Sequence, residues 1–304
     1  MIHLREAAVR RRSFLTVAAA LLLFSAAPVR AADVSGDLVL HFLQAKAASQ
    51  LQLTGKLQID DFVLNTRSGQ AILSLGKGTA DLTDVQPLQS RYVLGALSFD
   101  RAQLYYTAGA GGHSNFDALT AAPTQADADK KAEPTDLRIA SMALTNSAIH
   151  YTDAAGSKID LGNLRGNMQG LSLQAAPVAK LDVTAQFFSG DIGMKGTVDL
   201  AKNKLVAALT LKQVDMAPLQ AATYQGINAR LTKGKLDATG QLQVDWGKPF
   251  NIHLADARAT ATDFAMEPQF KGQGSPVSWA TLEAEIIQVD LATQQAQLGT
   301  VKAT

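Results

Sequence analysis

The side chains that most often carry catalysis or bind metal are scattered through this 304-residue sequence. No two of its five histidines lie two or four residues apart, and no acidic cluster with the spacing of metal ligands surrounds them. The absence of cysteine excludes thiolate zinc sites, cysteine nucleophiles and disulfides. We therefore predict no metal site and expect ordinary surface or strand histidines. These histidines are His3, His41, His113, His150 and His253.

Two acidic pairs and one glycine-rich segment are the remaining candidates for chemistry. Asp60 with Asp61, and Glu283 with Glu285, could serve as acid and base, but solvated charges on strands are the better interpretation. Residues 109–112 read Gly-Ala-Gly-Gly, yet Ser114 stands at the third glycine position of a dinucleotide loop and no helix pattern follows. We expect no catalytic residues, no cofactor and no enzyme activity.

Most of the chain alternates between apolar and polar residues, which predicts half-buried antiparallel strands. The clearest case runs from Leu236 to Trp246, with Asp, Thr and Gln at the intervening positions. The segment from Leu282 to Leu298 could be a helix by composition, but its alternation favours a strand. After residue 31 no long amphipathic helix competes with the strand pattern, so we predict an all-β fold with few short helices.

The stretch 109–135 interrupts the strand pattern. It combines glycines with a run rich in Ala, Asp, Lys and Pro, in which few residues could be buried. We predict a flexible loop or linker there. It divides the chain into a first β section, 35–108, and a second, 136–304.

Residues 1–31 have the layout of an export signal or N-terminal membrane anchor. Arg10, Arg11 and Arg12 precede an apolar stretch from Phe14 to Ala27, and small residues follow. Residues 11–15 also fit the twin-arginine pattern, so the export route stays open. We expect a periplasmic location, either as a cleaved protein or tethered to the inner membrane by an uncleaved leader.

The charge of the chain argues against nucleic acid as a partner. The formal net charge is +1, but the five arginines and one glutamate of residues 1–31 account for the positive sign. Without them the net charge is −3. A chain of that charge lacks the electrostatic footprint of a nucleic-acid-binding protein.

Two short patterns recur and suggest internal repeats. Residues 55–60, Gly-Lys-Leu-Gln-Ile-Asp, return as Gly-Gln-Leu-Gln-Val-Asp at 240–245, and more loosely at 196–200. Asp84 to Leu88 returns as Asp215 to Leu219, each with proline in the fourth position. Because proline ends a sheet ladder, the second pattern predicts two equivalent turns.

These patterns, with further segments, resemble the AsmA-like superfamily of bacterial envelope proteins, closest to its large branch named only as a domain of unknown function. The segments that carry the resemblance are 55–64, 84–88, 94–99, 143–153, 214–219 and 234–236. The resemblance covers most of residues 35–304, although family members are often longer and retain an N-terminal membrane helix. The second section stops where the family pattern suggests further strands.

The resemblance implies an extended antiparallel sheet curled into an open groove with an apolar lining. It also implies a non-enzymatic role in phospholipid transport or outer-membrane biogenesis, with phospholipid or another acyl-chain lipid and envelope proteins as partners. An ordinary closed sandwich core, and an interaction module that pairs through its sheet edges, remain alternatives. The candidate lipid-facing residues are Leu205, Leu209, Leu211, Leu236, Leu242, Val244 and Trp246.

Overall fold

The predicted all-β fold class is confirmed. The computed structural model describes residues 29–30, 33–44, 49–66, 68–109, 113–118, 135–173, 178–223, 229–247, 250–268, 276–290, 293 and 295–304. Within these ranges the chain forms fourteen strands, one α-helix and two short 3-10 turns. The predicted leader, except for Val29–Arg30, and residues 110–112 and 119–134 of the predicted linker lie outside the described residues.

Fourteen strands follow one another along the chain. They are β1 (Val29–Arg30), β2 (Asp33–Gln44), β3 (Ser49–Asn65), β4 (Ala71–Gln86), β5 (Arg91–Thr107), β6 (Asp136–Thr152), β7 (Lys158–Ser172), β8 (Ala179–Phe187), β9 (Gly190–Asp199), β10 (Lys204–Asp215), β11 (Ala229–Asp245), β12 (Asn251–Pro268), β13 (Val277–Asp290) and β14 (Gln295–Ala303). The 3-10 turns are η1 (Pro87–Gln89) and η2 (Asn115–Ala118), and the helix is α1 (Met216–Thr223). The segment with helix-like composition near the C-terminus is thus strand, as the alternation favours.

All strands belong to one open sheet that does not close into a barrel. From β3 to β14, strands that are neighbours in sequence are neighbours in the sheet. β1 and β2 pair in a single register along the same edge of β3, and β14 forms the opposite edge. Thirteen strands side by side at about 4.8 Å spacing make the sheet about 60 Å across.

One pairing departs from the expected antiparallel arrangement. β5 and β6 run parallel, from Arg91 beside Asp136 to Thr107 beside Thr152, whereas the other described pairings are antiparallel. A parallel pair cannot be joined by a tight hairpin, so the chain must return from the end of β5 to the opposite end of the sheet, where β6 begins. The interrupting stretch, residues 108–135, makes this return.

The strand directions define two ends of the sheet. We call the end where β3 leads into β4 the base, and the opposite end, where β4 leads into β5, the rim. Successive connections alternate between base and rim, and the parallel pair shifts this alternation by one connection. The hairpins β6–β7, β8–β9, β10–β11 and β12–β13 therefore lie at the base. The two proline turns consequently lie at opposite ends, η1 at the rim and α1 at the base. Each turn is spanned by an ion pair, Asp84 to Arg91 at 2.8 Å and Asp215 to Lys235 at 2.6 Å.

Left-handed residues at a similar level of β3, β5, β6 and β7 help to keep one face of the sheet apolar. Asp61, Arg101, Asn146 and Asn163 have φ between 46° and 53°. A left-handed residue shifts the alternation by one, as in a β-bulge. Apolar residues on both sides of these positions therefore stay on the same face, which we call the inner face.

The buried hydroxyl of Ser147 repairs the ladder where these left-handed residues lie on the parallel pair. Its Oγ accepts a hydrogen bond from the backbone N–H of Ala102 at 3.1 Å and donates to the carbonyl of Thr145 at 2.9 Å. Only 1% of Ser147 is exposed. A buried backbone N–H without a partner costs about 1–3 kcal/mol, so this hydroxyl stabilises the joint between the two β sections.

Two amide side chains seal free backbone groups at the base. Asn115 of η2 accepts from the N–H of Thr107 at 2.9 Å and donates to the carbonyl of Tyr105 at 2.6 Å. Gln220 of α1 does the same for Leu231 and Ala229, at 2.7 Å in both bonds. Each amide replaces a missing neighbouring strand, which anchors η2 and α1 against the base of the sheet.

Candidate binding face of the sheet

The inner face is continuous from one edge of the sheet to the other. Pairing registers connect one residue of each strand from β2 to β14 into a single row, and every member is apolar or glycine. Directly paired residues point to the same side of a sheet, so this row is one unbroken apolar band. Its members are Gly36, Leu57, Ala80, Leu97, Met142, Met168, Leu181, Gly196, Ala207, Leu242, Leu254, Val289 and Ala296.

Six of the seven candidate lipid-facing residues lie on this face, in β10 and β11. Leu205 pairs with Val244, and Leu242 pairs with Ala207. The other three lie opposite small or branched apolar residues: Leu209 opposite Gly240, Leu211 opposite Ala238, and Leu236 opposite Val214. All six are half-buried, which leaves part of each side chain open to solvent.

Trp246 occupies a different place from the other six. It follows the last residue of β11, its N–H donates to the carbonyl of Asn203 at 2.9 Å, and 38% of the residue is exposed. It therefore lies at the rim, at the end of the lining. The tryptophan inside the lining is Trp279 of β13, whose ring stacks on Phe264 at a centroid distance of 5.3 Å.

An alanine-rich part of the lining was not predicted from the sequence. Ala238, Ala259 and Ala284 form a row across β11, β12 and β13. A signal was present, because Ala257, Ala259 and Ala261 alternate with Arg and Thr. Alanine is too weakly hydrophobic to stand out in such a pattern. Its small side chain leaves this part of the inner face shallow.

Near the base, aromatic rings cover part of the inner face. Tyr106 stacks on Tyr151 at 5.7 Å and on Phe116 of η2 at 5.6 Å. Met216, the first residue of α1, lies against Gly234, where an added Cβ would stand 3.1 Å from its sulfur. Among the described residues no comparable turn or helix lies over the middle of the face.

The candidates for acid, base or metal chemistry lie apart from the inner face. Glu283 and Glu285 are exposed on the outer face, opposite Lys302 and Arg258. Asp61 is exposed and left-handed, and Asp60 accepts from the amide of Gln58 at 2.6 Å. The described part of the chain contains no group of three side chains able to hold a metal ion.

Three of the histidines lie beside aspartates. The Nδ1 atoms of His113 and His150 are 3.0 Å and 2.7 Å from carboxylate oxygens of Asp117 and Asp160. The Nδ1 of His253 is 3.7 Å from Asp290. These pairs are separate from one another, and each occurs at a strand end or hairpin.

The outer face carries a depression of about 520 Å³, lined mostly by polar residues, across β7 to β10. Its charged lining residues are Arg165, Asp191 and Lys212, and Thr184 and Thr210 contribute hydroxyls. It lies on the opposite side of the sheet from the apolar band, so it could not receive the head group of a lipid held there.

The fold and this face define a class: an open, all-β sheet with one apolar surface. Comparisons with protein-family models, with curated proteins and with solved structures find no match. In the described part of the chain, no helix is both long and apolar enough to span a membrane.

Proposed function

We propose that this chain is a non-enzymatic, AsmA-like protein of the cell envelope that holds lipid acyl chains on its inner face. In this role it assists phospholipid transport or outer-membrane biogenesis from the periplasmic side. The observation that carries the proposal is the unbroken apolar row across thirteen strands, with half-exposed leucines in β10 and β11.

Part of the inner face in β10 and β11 is open to solvent. Soluble monomers rarely leave a large contiguous apolar surface in water, and such surfaces mark binding sites. Each CH₂ group that moves from water onto the face gains about 0.8 kcal/mol. An acyl chain offers many such groups without requiring hydrogen-bond partners, which the inner face lacks.

The test is mass spectrometry of organic extracts from the native full-length protein, purified without detergent from a bacterial periplasm or membrane. We expect phospholipid in stoichiometric amount. Leu209→Gln, on the inner face of β10, should reduce the bound lipid severalfold. Val206→Gln is the matched control, because Val206 is 40% exposed on the outer face of the same strand.

A lipid-free, monodisperse wild-type protein would contradict the proposal. Equal lipid loss in the two variants would also contradict it, because the inner face would then not be the binding surface.

The alternative, an interaction module that acts through edge pairing, has one observation in its favour. All residues of β14 are exposed, including the large apolar Leu298 and Val301. An edge strand presents unpaired backbone groups to a partner strand. Binding of an envelope protein that is lost in Gln297→Pro, without bound lipid in the wild type, would favour this role.

A further inference from the structure

The large apolar side chains that the described structure exposes are concentrated at the rim. Six of them are 38–58% exposed and lie in or beside rim connections. They are Phe42, Leu88, Leu173, Val178, Trp246 and Phe250. Among the described residues of the base connections there is no exposed side chain of this kind. The aromatic rings there pack against neighbours, as Phe116 does on Tyr106 and Phe188 on Phe187.

The chemistry of the rim suits a membrane interface. Tryptophan and other aromatic rings settle at the level of lipid head groups, while leucine, valine and phenylalanine enter the acyl boundary. The rim places these types on separate connections, so that they project along one end of the sheet. Several short contacts of this kind can rest together on a surface without a transmembrane helix.

The exposure of charged side chains also differs between the two ends, and it too favours membrane contact at the rim. At the rim, the carboxylates of the ion pairs are only 11–19% exposed, while Arg91, Arg138 and Lys202 are 42–70% exposed. At the base, the paired carboxylates are 33–71% exposed. The rim therefore presents cations outward and shields its anions, which favours contact with anionic lipid.

The inner face is continuous with the rim. Trp246 follows Val244 of the lining by two residues, and Phe42 continues the apolar alternation of Leu38 and Leu40 in β2. The base, in contrast, carries η2, α1 and the first strand, β1. A hydrocarbon chain could thus pass between a bilayer and the inner face at the rim along these apolar side chains.

We propose that the rim is a membrane-docking edge, which rests on an anionic phospholipid surface and through which acyl chains enter or leave the inner face. This inference rests on the proposed function and adds where the lipid is exchanged. The occupant is a bilayer, and a protein or a second copy of this chain is an outcome that the experiment can reveal.

The test uses Trp246 as a probe within the rim. The full-length chain has two tryptophans, so Trp279→Phe leaves Trp246 as the only one, and the N-terminal segment contributes no signal. Vesicles of phosphatidylglycerol and phosphatidylethanolamine should shift its emission to shorter wavelength. Lipids brominated near the head-group end of the acyl chain should quench it more strongly than lipids brominated near the methyl end.

In that background, a Phe42→Ser, Leu88→Ser and Phe250→Ser triple variant should lower quenching of Trp246 about tenfold at equal lipid, because the buried apolar area falls. The matched control removes three exposed apolar groups that belong neither to the rim set nor to the row along the inner face: Val39→Ser, Val206→Ser and Ile287→Ser. It should quench as the parent does. Circular dichroism checks that both triple variants keep the β fold.

Each contrary result overturns the docking edge. An unchanged Trp246 spectrum on vesicles, or equal loss in rim and control variants, would show that the rim does not enter the bilayer. A rim variant that instead converts an oligomer to a monomer would make the rim a protein interface. Lipid extraction distinguishes the two proposals. Bound lipid together with an unchanged Trp246 spectrum would contradict only the docking edge, whereas absence of bound lipid would contradict the proposed function.

Discussion

On the inner face, leucines are buried in β3 to β5 but only half-buried in β10 to β13, where the buried residues are mainly alanines, with Val214 and Phe264 as exceptions. In the first region Leu53, Leu82 and Val85 are buried, and residues of β2 and β5 pack against them. In the second region the six predicted leucine and valine positions are only half-buried. One alternating pattern thus produces a small core at one place and an open surface at another.

The difference follows from the sizes of neighbouring side chains. In the packed region, Leu38, Leu40, Tyr92 and Leu94 surround the cluster and exclude water from it. In the open region, rows of alanine and glycine lie between the leucines, as Gly240 does opposite Leu209. Small neighbours cannot cover a leucine, so its exposed part remains available to a ligand.

The largest expected effect comes from truncation in the packed region. Leu82→Ala should lower the free energy of unfolding by about 2–5 kcal/mol, because it leaves a cavity in the cluster. Leu242→Ala, in the open region, should cost about 1 kcal/mol, because solvent or ligand can fill the space. Urea titration of lipid-free protein measures both. Equal losses would show that the two regions are packed alike.

An enlargement should separate the two regions in the opposite way. Ala80→Leu adds volume beside the buried cluster and should cost about 1–3 kcal/mol through strain. Ala259→Leu adds the same volume to the open region, where we expect a change of unfolding free energy below about 0.5 kcal/mol. Its effect should appear as reduced lipid content. A destabilisation by Ala259→Leu comparable to that of Ala80→Leu would mean that a close-packed layer already covers β12.

The smallest expected effect concerns acid stability. The amide of Gln86 donates to the carboxylate of Asp84 at 2.7 Å, and the amide of Gln52 and the guanidinium of Arg91 add further bonds. These bonds lower the pKa of Asp84 below its usual value. Ionised Asp84 therefore contributes its full stabilisation to the folded state above the unfolded-state pKa of about 3.9. This stabilisation is lost as the pH falls through the lower folded-state pKa.

Asp84→Asn should consequently flatten the decline of the unfolding temperature below about pH 4. Asp37→Asn, on the outer face of β2, is the control and should leave the slope unchanged. A slope in Asp84→Asn as steep as in the wild type would place the acid-sensitive groups elsewhere in the chain.

The sequence predicted the strands and most of the candidate face because both depend on local alternation. It could not predict the parallel pairing of β5 with β6, since direction is set by the return of the chain through residues 108–135. The alternation from Leu236 also extends to Trp246, whereas β11 ends at Asp245, and the sequence pattern does not mark that strand end. In the sequence Ser147 looks like an ordinary strand serine. Its hydrogen bond from the N–H of Ala102 depends on the left-handed residues at the parallel pair, which the sequence does not predict.

The parallel pair also has a consequence for how the chain acquires its structure. Each antiparallel neighbour from β6 to β14 can form as soon as the next strand is available, because its partner is close in sequence. Pairing β5 with β6 requires closure of a loop of more than twenty residues, with its own entropic cost. The strand pairs of the two β sections can therefore form separately, and the pairing of β5 with β6 should be the slowest step of folding.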